Sequence, residues 1–248
     1  MRIANLIGQI FLTALIGADS LAQTNPTVSQ PLQTIDQQLQ DHKISPNRSD
    51  IIQALQSLDG EVRALAALKL ANDKDANAVP HISDAFRNER VPEVEIQLAF
   101  ALAELGEKSG TTSLKTLCDD KSQSVSIRLG AAQNLLGLHN QDCLSAVLEI
   151  LKNNTESGSQ ANALGVLSGF REALKQHPQV IVDPIVKSLS ASSPYVRISA
   201  ALALENLTAL SAIPELEFAL AREQDEGVRA QMELDLAILK RKASSRAH

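Results

Sequence analysis

Aromatic side chains are almost missing from this chain, which has one Tyr, five Phe and no Trp in 248 residues. Bases of single-stranded nucleic acid stack on aromatic platforms, and here they find almost none. A positive excess is missing too. The formal net charge is −6, and a chain of that sign is a poor binder of phosphate backbones. No segment alternates apolar and polar residues with period two over any length, which argues against half-buried strands. Gly-rich phosphate loops, nucleophile elbows and paired-carboxylate motifs are absent. The five histidines, His42, His81, His139, His177 and His248, stand apart. None forms an i, i+4 pair or flanks a cysteine pair, so no zinc pattern arises. Neither a metal nor a cofactor is expected.

Long apolar runs are scarce as well, and beyond residue 22 none could span a membrane. The one run that occurs is N-terminal and short. Arg2, the stretch Ile3–Gly17 and the small residues of Ser20-Leu21-Ala22 together compose a secretory signal peptide over residues 1–22. Residue 23 is Gln, which argues against a lipidated N-terminus. The mature chain is expected to start at Gln23 and to be exported, to a periplasm or outside the cell. Residues 23–47, rich in Gln, Thr, Ser and Pro, are expected to be a flexible N-terminal segment, with a helical turn or more over Leu32–Leu39. Ser49 has the makings of an N-cap for a helix over Asp50–Leu58.

What the chain does have is repetition. Val62-Arg63, Val94-Glu95, Ile127-Arg128, Val196-Arg197 and Val228-Arg229 each open the same helical pattern, and a degenerate copy starts near Ser159. The steps between anchors are 32, 33, 32, 37 and 32 residues, a period typical of repeat arrays. After the anchor come Ala66-Ala67, Leu98-Ala99, Ala131-Ala132 and Ala200-Ala201, or Met232 alone in the last copy, and then a Leu, such as Leu70 or Leu204. A second apolar run follows in each period, as in residues 79–86, 144–151 and 213–220, with apolar positions at i, i+3, i+4 and i+7. Pro80 and Pro214 both lie eighteen residues after their anchors, where a first helical turn tolerates the missing N–H. Each unit therefore reads as helix A, carrying Val-Arg and Ala-Ala, then helix B. Such a pair buries its apolar face only against its neighbours. The expected fold class is all-α: a right-handed α-solenoid of stacked antiparallel helix pairs, an α-α superhelix of about six units over residues 48–242. Residues 243–248 are expected to fray. The longer fourth step reads as an insertion forming a loop on one face.

With Val-Arg-x-x-Ala-Ala-x-x-Leu as its core and Leu105-Gly106 following one copy, the chain resembles the HEAT-like repeats of the phycobilin-lyase (E-Z) type, a short variant of the HEAT/armadillo class. The resemblance covers about Asp50–Lys242. It implies stacked helix pairs, and it raises one enzymatic alternative: a bilin lyase or isomerase acting on a cysteine of a partner protein. Glu95 in place of Arg, and the fourth unit without Val-Arg, depart from the pattern.

Two features bear on sites. Arg63, Arg128, Arg197 and Arg229 recur at one repeat position, and packing dominates that position. A structural ladder is expected there, with Asp, Glu or carbonyls of the neighbouring unit as partners. Cys118 and Cys143 are the only cysteines. An oxidising compartment favours a bridge between them. Counted from their anchors, however, they sit eight residues out of register on parallel B helices. That is about 12 Å along the axis, and neighbouring helices add about 10 Å laterally, against a bridging limit of about 7 Å. Two buried thiols are expected.

The function expected from these residues is an exported, non-catalytic scaffold for protein–protein interaction. It would hold another protein or peptide on a concave face lined by B helices, and would bind no nucleic acid. The candidate partner-binding residues are Asp84, Arg87, Glu149, Lys152 and Phe218. Phe218 falls where other units place Asp84, Thr116 and Glu149, so it reads either as an exposed anchor or as a core residue of curled last units. A monomer is expected.

Overall fold

The computed structural model describes residues 33–246. The expected signal peptide, its cleavage site and residues 23–32 lie outside the described residues. Among the described residues there are fourteen α-helices and no strand. In order they are α1 (Ile35–Asp41), α2 (Arg48–Ala54), α3 (Gly60–Asn72), α4 (Val79–Asn88), α5 (Pro92–Glu104), α6 (Lys108–Asp119), α7 (Val125–Gly137), α8 (Leu144–Asn153), α9 (Ser157–Leu167), α10 (Arg171–Gln176), α11 (Pro178–Ser188), α12 (Pro194–Leu207), α13 (Ile213–Arg222) and α14 (Glu226–Arg246). The anchors fall on α3, α5, α7, α9, α12 and α14. These are the A helices, and the B helices lie between them.

The chain divides into two compact units, one ending at Leu117 and the other beginning at Cys118. In the first, α3 packs on α5 and α4 on α5, with α1 and α2 against α3. In the second, the A helices α7, α9, α12 and α14 pack in a row, and α8 packs against α11. The motif residues are the core of both. Val62, Val94, Ile127, Val196 and Val228 are buried, and Ala66, Ala67, Ala131, Ala132, Ala200 and Ala201 have no exposed surface. Small residues there let neighbouring helices approach closely. At Gly110 of α6 a Cβ would lie 2.2 Å from the Ala99 carbonyl oxygen on α5, so no larger residue fits there without a shift.

One geometric device ends most A helices. Lys74, Gly106, His139 and Thr208 each stand twelve residues after their anchors, and all have positive φ, from 56° to 91°. The N–H of the next residue donates to the carbonyl of the repeat's buried leucine: Asp75 to Leu70, Glu107 to Leu102, Asn140 to Leu135 and Ala209 to Leu204, at 2.9–3.0 Å. This is the left-handed C-cap that satisfies carbonyls orphaned at a helix end. The same device ends α1, where Lys43 has φ 61° and Ile44 N–H donates to Leu39 O at 2.9 Å. Leu39 is 1% exposed and lies against Leu65 of α3. The helix pair α1–α2 is thus a shortened repeat, one unit earlier than the Val-Arg pattern reveals.

Several expectations are corrected here. The helical turn expected over Leu32–Leu39 is a helix over Ile35–Asp41 that buries Leu39, so the segment expected to be flexible over residues 23–47 is helical there. The cap of α2 is Asn47, whose Oδ1 accepts from Asp50 N–H at 3.0 Å, rather than Ser49, because the helix starts two residues earlier. The insertion of the fourth unit forms a helix, α10, rather than a loop, and the B helix of that unit is α11. Residues 243–246 continue α14.

The largest correction concerns the cysteines. Cys118 and Cys143 form a disulfide, with Cα atoms 6.2 Å apart. The expectation assumed even stacking of parallel B helices, and a 6.2 Å separation is incompatible with that. The repeat is irregular here, between the last turn of α6 and the residue that precedes α8. Both cysteines are buried. The bridge spans 25 residues, and closing a loop of that size in the unfolded chain is worth about 3.5 kcal/mol. Cys118→Ala should lower the denaturation free energy by that amount relative to oxidised wild type, and added reductant should leave the variant unaffected. Equal denaturant midpoints for variant and oxidised wild type would remove any stabilising role for the bridge.

Candidate functional site

The recurring arginine builds a clasp inside the repeat. Arg63 Nε and Nη2 donate to both oxygens of Glu89 at 2.8 and 3.0 Å, while Nη1 donates to the carbonyls of Ser57 and Leu58 at 2.7 and 3.1 Å. Arg197 repeats this with Glu223 at 2.7 and 2.8 Å and with the carbonyls of Ala191 and Ser192 at 2.9 and 3.0 Å. In both cases the glutamate follows the arginine by 26 residues, and the carbonyls precede it by six and five. The planar guanidinium fork matches a carboxylate in bidentate fashion, so one side chain ties helix A to the loops before and after the pair. Each carboxylate also accepts two backbone N–H groups, Arg90 and Val91 at Glu89, and Gln224 and Asp225 at Glu223.

The electrostatics follow. Burial pushes the Glu89 carboxyl up, but the Arg63 bond and the N–H groups of Val91 and Arg90 outweigh it and hold the group below the usual carboxylate range. At Glu223 the Arg197 bond is the largest influence, and the group again lies below its ordinary value. Arg197 in turn is raised by Glu223.

The other units vary the clasp. Gln160 holds the arginine's place in the fourth unit, and its Nε2 donates to the Asn154 carbonyl, six residues back, at 2.9 Å. Arg229 Nη2 donates to the Glu223 carbonyl, also six back. Arg128 instead reaches the Cys118 carbonyl at 3.0 Å and Glu149 at 3.3 Å, the same irregularity that brings the cysteines together. Glu95 accepts from Ser113 at 3.3 Å. The arginine row is therefore an internal ladder rather than an anion-binding stripe.

The candidate surface residues are placed as follows. Asp84 and Arg87 pair with each other on exposed α4 at 3.1 Å. Glu149 on α8 is engaged by Lys121 and Arg128, and the Lys121 bond is the main cause of its lowered pKa. Lys152, also on α8, is exposed. Phe218 is 61% exposed on α13, so the alternative of a core residue in curled last units does not hold. The Arg222 guanidinium lies 4.9 Å from its ring centroid, a cation–π contact one helical turn on. On the same helix Glu217 is paired with Lys240 at 2.5 Å.

Sequence reasoning missed Glu89, Glu223 and Gln160, although the shared spacing from Arg63 and Arg197 to a glutamate was there to be read. It also missed Arg222. A cleft of about 480 Å³ opens between the starts of α7 and α9, lined by Ser124, Ser126, Asn154, Glu156, Ser159 and Asn162 among others. Its one carboxylate, Glu156, is bonded to the Ser159 hydroxyl. Among the described residues no His, Cys, Asp and Glu cluster could hold a metal ion, and no helix is long and apolar enough to cross a membrane.

Comparison with known proteins gives one family. Residues 49–136 match HEAT repeats. No curated protein sequence matches the chain. Among solved structures, one engineered protein is 22% identical over 78% of this chain and 96% of its own, with a TM-score of 0.48. A second engineered protein is 21% identical over 94% of this chain and 68% of its own, with a TM-score of 0.47. The complex of CpcE and CpcF of phycocyanin lyase from Nostoc sp. is 17% identical over 89% of this chain and 100% of its own, with a TM-score of 0.39. None of these likenesses bears on activity.

Proposed function

For this chain, which carries HEAT repeats, we propose the function of an exported, non-catalytic scaffold that binds another protein on the concave face lined by its B helices. Stacked helix pairs present extended surfaces on which a partner can lie. One observation carries the reading. Phe218 stands exposed at a position that other units fill with polar residues, and Arg222 stacked on its ring makes an aromatic and cationic anchor. Interface energy concentrates in such residues. The buried bridge between Cys118 and Cys143 supports export, since disulfides persist in oxidising compartments.

Phe218→Ala tests the proposal. At an exposed site the change should move stability by no more than about 0.5 kcal/mol, while proteins retained from an exported fraction by immobilised wild type should be lost. Retention of the same proteins by wild type and variant would sink the anchor. A variant that melts much earlier would return Phe218 to a structural role.

A further inference from the structure

Three charged side chains of the last helix, α14, bear on its seating, and only two of them have a partner outside the helix. Near its start, Arg229 donates to the carbonyl of Glu223, the residue that Arg197 of α12 clasps. Near its end, Lys242 Nζ donates to the Glu205 carboxylate of α12 and, at 3.3 Å, to the Glu205 carbonyl. Between them lies Asp235, 1% exposed. Its Oδ1 accepts from Gln231 Nε2 at 2.8 Å, and its Oδ2 is buried without any hydrogen-bond partner.

No cation of a neighbouring element bonds Asp235. α12 carries Arg197, clasped to Glu223, and Glu205, held by Lys242. α13 carries Arg222, which lies on the Phe218 ring, with Glu215 and with Glu217, the latter held by Lys240. The short 3₁₀ turn Leu210–Ala212 carries no titratable side chain. A carboxylate buried without compensation is costly, and a protonated carboxyl in the same place is far less so.

We propose that Asp235 makes the seating of α14 on α12 proton-sensitive: on mild acidification the buried carboxyl takes up a proton, and the last helix is held more firmly than at neutral pH. Three influences act on the group. Burial, the largest, pushes the Asp235 carboxyl above the usual aspartate range, the Gln231 bond pulls it down, and the Glu205 charge pushes it up again. A group whose folded pKa is raised binds more protons folded than unfolded, so stability falls as pH rises through that interval. The penalty is complete above the folded pKa and absent below the unfolded value of about 3.9. This is opposite in sign to Glu89 and Glu223, whose contributions are lost on acidification. Stability should therefore peak at mildly acidic pH.

Melting temperatures of the full chain and of Asp235→Asn, measured from pH 7.5 to 5.0, test the proposal. The wild type should melt at a higher temperature at the acidic end than at pH 7.5. The variant should already melt higher at pH 7.5 and lose that rise. A rise of equal size in the variant overturns the proposal. Titration of the wild-type Asp235 carboxyl carbon by NMR is independent of any packing effect of the amide. A midpoint at or below about 3.9 overturns the proposal whatever the melts show.

Discussion

Glu223→Ala should destabilise the protein by about 3–5 kcal/mol, the cost of leaving one partner of a buried ion pair behind. The Glu223 side chain is 6% exposed and that of Arg197 15%, so little water is at hand to replace the carboxylate. The change also strands the N–H groups of Gln224 and Asp225. Arg197 keeps the carbonyls of Ala191 and Ser192, which sets the expectation at the lower end of the range. The exposed pair Lys175–Glu172 is the internal contrast, since breaking a surface pair costs about 0.2–1 kcal/mol. A double-mutant cycle with Arg197→Ala separates the pair from its parts: strong coupling is expected, and additive losses would refute the clasp. The same pair predicts a pH effect. Glu89 and Glu223 both lie below their ordinary values in the fold, so their contribution is present above about pH 4.3, the unfolded glutamate value. It is lost as pH falls further. Denaturant melts between pH 5 and 3 should show the loss in wild type and a shallower one in Glu223→Ala.

Leu204→Ala should cost about 2–5 kcal/mol, the range for emptying a buried leucine site. Leu204 has no exposed surface, and its carbonyl accepts the Ala209 N–H that closes the left-handed cap at Thr208. The side chain is fully buried and the carbonyl is held in the cap, so the cavity has little freedom to collapse. Denaturant unfolding of the variant measures the loss. A loss below about 1 kcal/mol would mean that the repeat register places the wrong leucine in the core. Leu102 and Leu135, the corresponding residues of other units, are equally buried and should respond alike.

The anchors and the helix ends were legible in the sequence because packing repeats with a fixed period. Val62, Ala66, Ala67 and Leu70 recur as Val196, Ala200, Ala201 and Leu204, since each copy must bury the same stripe against the next. Pro80 and Pro214 mark the first turns of α4 and α13 for a reason local to the backbone. The candidate surface was less legible. Exposure of Phe218 depends on whether the last units curl, and the five candidates carry no periodic requirement that marks them. The pairing of Glu149 with Arg128 was not legible because it spans 21 residues, whereas the regular clasp uses 26. The shortened first repeat escaped notice because α1 has no Val-Arg. It is recognised by Lys43, whose left-handed backbone is a property of the folded turn.

The sequence by itself determined the helical class, the A and B registers and the buried face of each unit, because these depend on residues at most a few turns apart. Only the tertiary structure decided the pairs that span many residues, Cys118 with Cys143 and Arg197 with Glu223, and it alone left Asp235 Oδ2 without a hydrogen-bond partner. Such pairs form through distances across packed helices, and a chain of near-identical repeats offers each side chain several equivalent partners. Which one it meets is fixed by how far local irregularities, such as the one at Arg128, displace one helix from the next.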